Sequence, residues 1–568
     1  MDLKSIKEYF KVDSTQDFAL RRQTRNRRIT LALLIALLII IGGCIGAFAH
    51  SRKNNSKPSS TPELTPAASL KSVCSVTQFP DACISSISKI PSSSNTTDPE
   101  SLFKLSLKVV VDELGSISGL PKTLSDASND ERVKSALGVC GDLIQDSIDQ
   151  LVDTVAALEE GGDVKTILNA KKLEDVKTWL SAALTFHETC FDTLDEVETE
   201  YTESLTLKSA MKNSTEYTSN SLAIVAKVLS FGVPQRRLLN SHPSWVRPTV
   251  RRLLEEKRKT PDITVAADGS GDVKTITEAV AKIPSKSKTR FHIYVKSGTY
   301  LENVVLDKSK WNVMMYGDGN TETIISGSKS NGTGSLTFLS ATFAVQGEGF
   351  IMKDIGIINT AGPKNGQAVA LKSGSDFSVF YRCSFEGYQD TLYPHSHRQF
   401  YRDCDITGTV DFIFGNAAVV FQGCNIRPRQ PLPGQFNTIT AQGKTDTNQN
   451  TGISIQYCTI SGANGDVTAA TYLGRPWKKY SKTVVMQSKI GSVVSPAGWT
   501  PWGSEDPPST IFYGEYKNSG PGSDLTQRVK WVGYTPVMTD IDVWHVMVYN
   551  FIQGMEWIEA TGVPFDPK

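Results

Sequence analysis

FYRCSFEGYQDTLYPHSHRQFYRDCDITGTVDFIFGNAAVVFQGC, residues 380–424, repeats its own pattern. FYRC at 380–383 returns as FYRDC at 400–404 and, more loosely, as FQGC at 421–424, a period of about twenty residues. A supersecondary unit of that size has to stack on its neighbours to bury its apolar side. The repeat therefore predicts the stacked coils of a parallel β-helix.

Two aspartates occupy matching places in successive repeats. Asp390 and Asp411 each follow a glycine by three residues, in GYQDT and GTVDF. Stacked strands lie roughly 4.8 Å apart, so the two carboxylates are expected to be neighbours on one surface. Close carboxylates cannot both ionise easily, so the pKa of one rises and one acid keeps its proton. The pair predicts a hydrolase, without metal or cofactor, in which one aspartate attacks and the other carries the proton.

Other chemistries lack their motifs. No Gly-x-Ser-x-Gly elbow occurs in the chain. His395 and His397 lie near Asp390 in sequence, and we interpret them as part of a solvated turn without a partner serine. No Cys-x-x-Cys occurs, which disfavours a structural zinc site. A formal net charge of +1 over 568 residues gives no reason to expect nucleic acid as a partner.

The N-terminus carries an export signal. Residues 29–49 form an unbroken apolar run of about the twenty residues that a bilayer core requires. Residues 1–28 form a basic head, which the positive-inside rule leaves cytoplasmic. We predict a transmembrane signal-anchor that exports the rest of the chain, followed by a flexible linker over 50–66. Four sequons fit an exported glycoprotein: Asn54, Asn95, Asn213 and Asn331.

Apolar residues recur at helical spacing between 67 and 233. The stripes predict an all-α, antiparallel four-helix bundle. Cys140 and Cys190 fall on two of the stripes, where a disulfide can join two helices, and Cys74 with Cys83 would close a small loop. No acid–base or metal constellation is visible in this part, which therefore favours a binding domain.

A basic connector over 234–260 contains the same motif twice. Arg236-Arg237 and Arg251-Arg252 are each followed by two leucines. An extended, exposed segment of this kind is a natural protease substrate. We predict cleavage here by a processing protease, which would make the helical domain a removable pro-region.

From 261 to 568 short runs of Val, Ile, Phe and Tyr alternate with turn residues, and long helical stripes disappear. A short amphipathic helix over 275–283 is expected to cap the open end of the solenoid. Cys404 and Cys424 lie one repeat apart and are expected to bridge neighbouring coils, with Cys424–Cys458 as the alternative pairing.

Three segments of this part, in order, resemble the signature motifs of plant pectin methylesterases: GYQDTLY at 387–393, GTVDFIFG at 408–415 and LGRPW at 473–477. GQAVA at 366–370 and GTY at 298–300 resemble two further motifs of that family. The helix pattern and cysteine placement before them resemble the pectin methylesterase inhibitor family. The resemblance implies a right-handed parallel β-helix that hydrolyses galacturonate methyl esters in pectin, releasing methanol in the cell wall.

The same resemblance implies residue roles. Asp411 would be the nucleophile and Asp390 the general acid and then base. Arg475 would keep Asp411 ionised and orient the substrate. Gln389 and Gln367 offer amide donors for an oxyanion hole, Trp477 a flat face for a sugar ring, and Thr337 a contact in the groove wall.

Two other readings stay open on the residues alone. Another pectin-active β-helix, a lyase or a polygalacturonase, would keep the fold and change the chemistry, but would need a calcium-binding carboxylate cluster or a different aspartate motif. A non-catalytic wall-binding scaffold with an inhibitor domain is the third. The favoured interpretation is a membrane-anchored secretory precursor in which the helical part contacts and restrains a pectin-hydrolysing enzyme.

Overall fold

The computed structural model describes residues 65–159, 170–197, 202–232, 260–463 and 467–568. The predicted head, anchor and linker before residue 65, the sequon at Asn54 and the basic connector with both arginine pairs lie outside the described residues. Within the described ranges, no helix is long and apolar enough to cross a membrane. Residues from Thr65 to Lys568 form one compact unit with a helical part and a β part.

The helical part, from 66 to 232, packs four long helices around a shared apolar core. The disulfides Cys74–Cys83 and Cys140–Cys190 are both formed, as the stripes and spacing indicated. Its helices are α1 (Pro66–Cys74), α2 (Pro80–Ser88), α3 (Pro99–Ile117), α4 (Leu120–Ala127), α5 (Glu131–Glu159), α6 (Ala170–Asp195) and α7 (Thr202–Lys227).

The described residues of the β part, 260–463 and 467–568, contain 26 strands, numbered in chain order, in three parallel sheets. Coils that follow one another along the chain stack their strands in the same sheets, which is the arrangement of a parallel β-helix. The first sheet contains β1 (Ile263–Val265), β2 (Phe291–Val295), β5 (Val313–Tyr316), β8 (Ile351–Lys353), β11 (Ser378–Tyr381), β14 (Arg398–Arg402), β17 (Ala418–Gln422), β20 (Gly452–Gln456), β23 (Lys482–Met486), β25 (Phe512–Tyr516) and β26 (Tyr534–Thr535). The second contains β3 (Gly298–Leu301), β6 (Thr323–Gly327), β9 (Gly356–Asn359), β12 (Ser384–Glu386), β15 (Asp405–Gly408), β18 (Asn425–Pro428), β21 (Thr459–Ile460) and β24 (Lys489–Ile490). The third contains β4 (Val304–Leu306), β7 (Phe343–Val345), β10 (Leu371–Ser373), β13 (Leu392–Pro394), β16 (Ile413–Gly415), β19 (Asn437–Gln442) and β22 (Thr471–Pro476).

The ladder is shifted by one residue from the most similar letters in the middle repeat, where Tyr401 and not Phe400 takes the equivalent position. The ladder pairs Phe380 with Tyr401, and Tyr401 with Phe421. Their rings stack inside the solenoid with centroids 4.6 and 4.7 Å apart. Aromatic rings in successive coils therefore form a continuous stack in the buried core.

The cysteines of the β part form a second internal column. Among the described residues, Cys383, Cys404, Cys424 and Cys458 are buried free thiols, one to a coil. Neither the predicted Cys404–Cys424 bond nor the alternative Cys424–Cys458 bond is formed in the structure. Each thiol instead points at a backbone carbonyl of the preceding coil, as Cys404 does at Phe380 O (3.4 Å). We call these four residues the thiol column.

Short helices close the ends and one flank of the solenoid. Helix α8 (Ile276–Ala281) begins with a capping box of Thr275 and Glu278 and buries its apolar side against β1 and β4. It confirms the predicted helix, with the final turn shortened. Beyond β26, α9 (Asp540–Trp544) and α10 (Val548–Phe551) belong to a C-terminal segment whose apolar side chains cover the outer face of the first sheet.

Candidate active site

Asp390 and Asp411 lie in consecutive coils, each just before a strand of the third sheet. The parallel register pairs Leu392 with Ile413, and the Asp390 N–H donates to the carbonyl of Val410 at 3.0 Å. Both aspartates have left-handed backbone, with φ of 62° and 50°. A short polar side chain tolerates this conformation better than most. The turn aims both carboxylates at the same surface, as their spacing predicted.

Asp411 is fixed on three sides. Arg475 donates to both of its oxygens, Nε to Oδ1 at 2.8 Å and Nη2 to Oδ2 at 2.6 Å. The hydroxyl of Thr438 accepts from the Asp411 N–H at 2.8 Å and donates to its Oδ1 at 2.6 Å. A bidentate guanidinium is the geometry that best supports a carboxylate. These contacts hold the Asp411 carboxylate in one orientation.

Asp390 has the opposite environment. Burial, followed by the neighbouring charge of Asp411, raises the pKa of Asp390 well above its ordinary value. Arg475 opposes that shift but does not contact Asp390 in the way that it contacts Asp411. The two environments are therefore different: burial favours the protonated form of Asp390, whereas Asp411 is bound by a guanidinium, and such an asymmetry suits an acid–nucleophile pair.

Aromatic side chains line the wall beside this pair. The Arg475 guanidinium lies 4.2 Å from the ring centroid of Trp502, and Trp502 stacks on Trp477 at 6.2 Å. Trp477 packs against Phe414, with ring centroids 6.2 Å apart. Phe414 in turn stacks on Tyr393 of the preceding coil at 4.2 Å. Gly443 leaves room for the indole, because a Cβ there would lie 2.9 Å from the Trp477 ring. Flat apolar faces next to a charged groove suit sugar rings.

The two glutamines lie in neighbouring coils at the same edge. Gln367 and Gln389 precede β10 and β13 and are half-buried. The N–H of Ala368 donates to the carbonyl of Gln389 at 3.1 Å, so the ladder places the two residues side by side. Gln389 directly precedes Asp390, so both glutamines lie in coils next to the aspartate pair.

Helix α6 of the helical part lies across this groove. Glu196, the residue directly after α6, accepts from the N–H of Thr337 at 2.9 Å and from Asn331 Nδ2 at 3.0 Å. Glu188 and Asp192 of α6 both pair with Lys478, the former at 2.7 Å. Apolar residues of the helical part share a buried cluster with Phe338, Tyr393, Phe414 and Trp477 of the β part. The predicted contact between the two parts is therefore present, and it covers the site residues.

The interpretation of His395 and His397 as a solvated turn is wrong. Only 4% and 8% of their surfaces are exposed. The hydroxyl of Thr189 on α6 lies 2.8 Å from His395 Nε2, and Gln150 on α5 lies 2.9 Å from His397 Nε2. Burial lowers the pKa of both imidazoles. The helical part covers this turn, and nothing in the local sequence indicated that.

A buried ion pair lies at the same junction. Arg398 is 1% exposed, donates bidentately to Asp376 of the preceding coil and reaches Asp175 on α6 at 2.6 Å. It also contacts Gln553 of the C-terminal segment. At a separate point of the same contact, Lys308 of the β part pairs with Asp146 and Asp149 of α5. Charges therefore join the helical part to the β part at several separated points.

A parallel β-helix that brings together a buried aspartate and a guanidinium-bound aspartate beside an aromatic wall has the architecture of a carbohydrate-active hydrolase. Residues 262–555 match the Pectinesterase family model, and residues 68–224 match the model for plant invertase/pectin methylesterase inhibitors. The chain belongs to the pectinesterase family, as a pectin methylesterase with an N-terminal inhibitor-like domain.

Relatives agree over the whole chain. It is 61% identical to pectinesterase 1 of Arabidopsis thaliana and 53% identical to pectinesterase 3 of Phaseolus vulgaris, in each case over 99% of both chains. Among solved structures, the pectin methylesterase from carrot is 53% identical, with a TM-score of 0.54. The match covers 99% of the carrot chain and 55% of this one.

Proposed function

We propose that Asp411 is the nucleophile and Asp390 the proton carrier in hydrolysis of galacturonate methyl esters of pectin. The Asp411 carboxylate attacks the ester carbonyl, and the departing methoxide takes the proton of Asp390, leaving methanol and an acyl-enzyme anhydride. Asp390 then removes a proton from water, which cleaves the anhydride and restores Asp411. The observation that carries this proposal is the bidentate Arg475–Asp411 pair beside a buried Asp390, whose pKa burial raises well above its ordinary value.

The remaining site residues have supporting roles in this scheme. The amides of Gln389 and Gln367 donate to the oxyanion that develops at the ester carbonyl. Trp477 and Thr337 hold the sugar chain, and Arg475 orients the reacting galacturonate while it fixes Asp411. The placement of the two glutamines in consecutive coils supports a shared oxyanion site.

The helical part restrains this activity by occupying the groove. Glu188 and Asp192 on α6 and Glu196 directly after it recur every four residues and form one acidic edge, which lies where an acidic polysaccharide would lie. An edge that already satisfies Lys478 and the Thr337 N–H leaves those donors unavailable to pectin. Release then requires that the helical part leave the groove.

Cleavage of the basic connector separates the helical part from the enzyme. A right-handed β-helix over 261–568 is separated from a four-helix bundle over 67–233 by the connector, and cleavage at Arg236-Arg237 or Arg251-Arg252 frees the enzyme. The signal-anchor at 29–49 carries the precursor to the secretory membrane, with 1–28 as its cytoplasmic head and 50–66 as its linker. The mature enzyme acts outside the cell, in the wall, where pectin is the partner.

Substitution of the two aspartates tests the chemistry. Asp411→Asn and Asp390→Asn in the protease-treated chain should each reduce methanol release from methylated pectin by at least about a thousandfold, because one loses the nucleophile and the other the proton. Asp403→Asn is the matched control, since Asp403 also has a left-handed backbone but is exposed and pairs with Arg402. Near-normal turnover by either site variant would refute the assignment.

A further inference from the structure

Asn331 is both a sequon residue and a docking contact. It begins Asn331-Gly332-Thr333, and its Nδ2 donates at 3.0 Å to Oε2 of Glu196, directly after α6. The same oxygen accepts from the N–H of Thr337 at 2.9 Å. Nδ2 is the atom that an N-linked glycan substitutes. Asn331 Nδ2 can therefore either donate this hydrogen bond to the helical part or carry a bulky glycan.

The loop that carries Asn331 cannot easily turn away from α6. The Asn331 N–H donates to the carbonyl of Gln367 at 2.8 Å, and a short 3₁₀ turn over 331–333 is closed by Ser330. Gly332 packs so closely that a Cβ there would lie 2.8 Å from the backbone of Asn365. The side chain is thus held at the rim of the groove, under the helix.

The other described sequons offer a direct contrast. Asn95 and Asn213 are exposed residues of the helical part. Asn213 donates only to Glu113 of α3, within the same part. A glycan at either position extends into solvent and leaves the contact between the helical and β parts intact. Asn331 differs because its amide lies inside that contact.

We propose that a glycan on Asn331 and the docked helical part exclude each other, so that glycosylation at Asn331 holds the groove open in an uncleaved chain. In the transfer, Nδ2 loses a proton and bonds to the anomeric carbon of a lipid-pyrophosphate-linked oligosaccharide, whose pyrophosphate leaves. The helical part precedes Asn331 in the chain and is synthesised first. Early docking protects Asn331, whereas early transfer prevents docking.

The test uses full chains that remain uncleaved and carry one acceptor. Arg236→Gln and Arg251→Gln disable both arginine pairs in all chains. Adding Asn54→Gln, Asn95→Gln and Asn213→Gln leaves Asn331 as the sole acceptor. The control keeps Asn213 instead, with Thr333→Ala removing the Asn331 sequon but not its amide. Each chain is secreted from a glycosylating host and separated on a mannose-binding lectin into glycosylated and unmodified fractions.

Docking is read without activity, by carbodiimide cross-linking of Lys478 to Glu188 or Asp192 and of Lys308 to Asp146 or Asp149. We expect these cross-links in the unmodified Asn331-only fraction and a loss of at least tenfold in its glycosylated fraction. Both fractions of the Asn213-only control should cross-link equally. Equal cross-linking of the two Asn331-only fractions would overturn the inference.

A docking-weakened chain covers the case in which docking always precedes transfer. Thr189→Arg places a long cation against His395, so Asn331 occupancy should rise from its wild-type level. No glycan on Asn331 in either background would overturn the inference. Because the activity readout rests on the proposed restraint, methanol release is measured separately. Cross-links that differ as expected, with equal methanol release in both fractions, would refute the restraint and leave the exclusion standing.

Discussion

Reversal of one charge on α6 should release the groove without touching the β part. Lys478 pairs with Asp192 and Glu188, and the exposed fractions of the Lys478 and Asp192 side chains are 20% and 23%. Asp192→Lys replaces one attraction by a repulsion. All residues proposed for catalysis or pectin binding remain as they are, so a change in activity reports docking.

The magnitude follows from Coulomb's law. At about 4 Å and an effective dielectric constant of about 40, between the surface and bulk values, one pair contributes about 2 kcal/mol. Loss of that attraction and gain of an equal repulsion, reduced by relaxation of two long side chains, destabilises docking by about 3 kcal/mol. Since about 1.4 kcal/mol is tenfold, the undocked fraction should rise about a hundredfold.

The assay is methanol release by the uncleaved chain at pH 7, with both arginine pairs disabled. Asp192→Lys should raise activity toward that of the protease-treated wild type, and then gain little from protease treatment. Asp195→Lys is the matched control, three residues along the same helix, because Asp195 is exposed and pairs with Lys208 inside the helical part. Equal activity of the two uncleaved variants would refute the electrostatic account of docking.

Three further outcomes follow from the same contacts. Arg398→Ala should cost about 3–5 kcal/mol in the free energy of unfolding, measured with guanidinium chloride, because Asp376 stays buried without its partner; Arg382→Ala breaks a more exposed pair and should cost less than about 1 kcal/mol. Burial raises the pKa of Asp192 from 3.8 to about 6, so the docked state holds its proton more tightly than the free state does. The stabilisation of docking by this proton is complete below pH 3.8 and is lost as the pH rises through about 6, above which the ionised Asp192 keeps only its attraction to Lys478. The ratio of uncleaved to protease-treated activity should therefore rise over that window in the wild type and rise less in Asp192→Asn, whereas an unchanged ratio profile would contradict the linkage. The thiol column should react with a disulfide reagent only after denaturation, and fewer than four reactive thiols from residues 260–568 would show that a bond forms in the protein.

The sequence predicted the aspartate pair because the third sheet keeps a strict register. Asp390 and Asp411 are separated by one coil, and the ladder that pairs Leu392 with Ile413 carries the same offset. A parallel β-helix converts a sequence period directly into spatial proximity, which few other folds do. The motif that contains Arg475 lies two strands farther along the same sheet, so it also reaches the pair.

Thr438 was missed because no local pattern distinguishes it. It lies 27 residues after Asp411, in a strand rich in threonine, and only the register of β16 and β19 brings its hydroxyl to the carboxylate. The covering of His395 was missed for a different reason. Its partner Thr189 is 206 residues away in the helical part. A contact between two separate parts of the chain produces no repeating sequence pattern in either part from which it could be predicted.

The contacts that hold α6 also limit how the restraint can change. Lys478 and the Thr337 N–H are satisfied by carboxylates of the helical part, and the proposed substrate is itself a chain of carboxylates and their methyl esters. A substitution on the β part that loosens the helix therefore risks weakening the groove's hold on pectin. Substitutions on α6, or a glycan on Asn331 at the rim, leave the groove cations and the aspartate pair unchanged, so they do not weaken pectin binding in this way. Variation in restraint should accordingly be found on the helical side of the contact, while the cations of the groove are held fixed by the substrate.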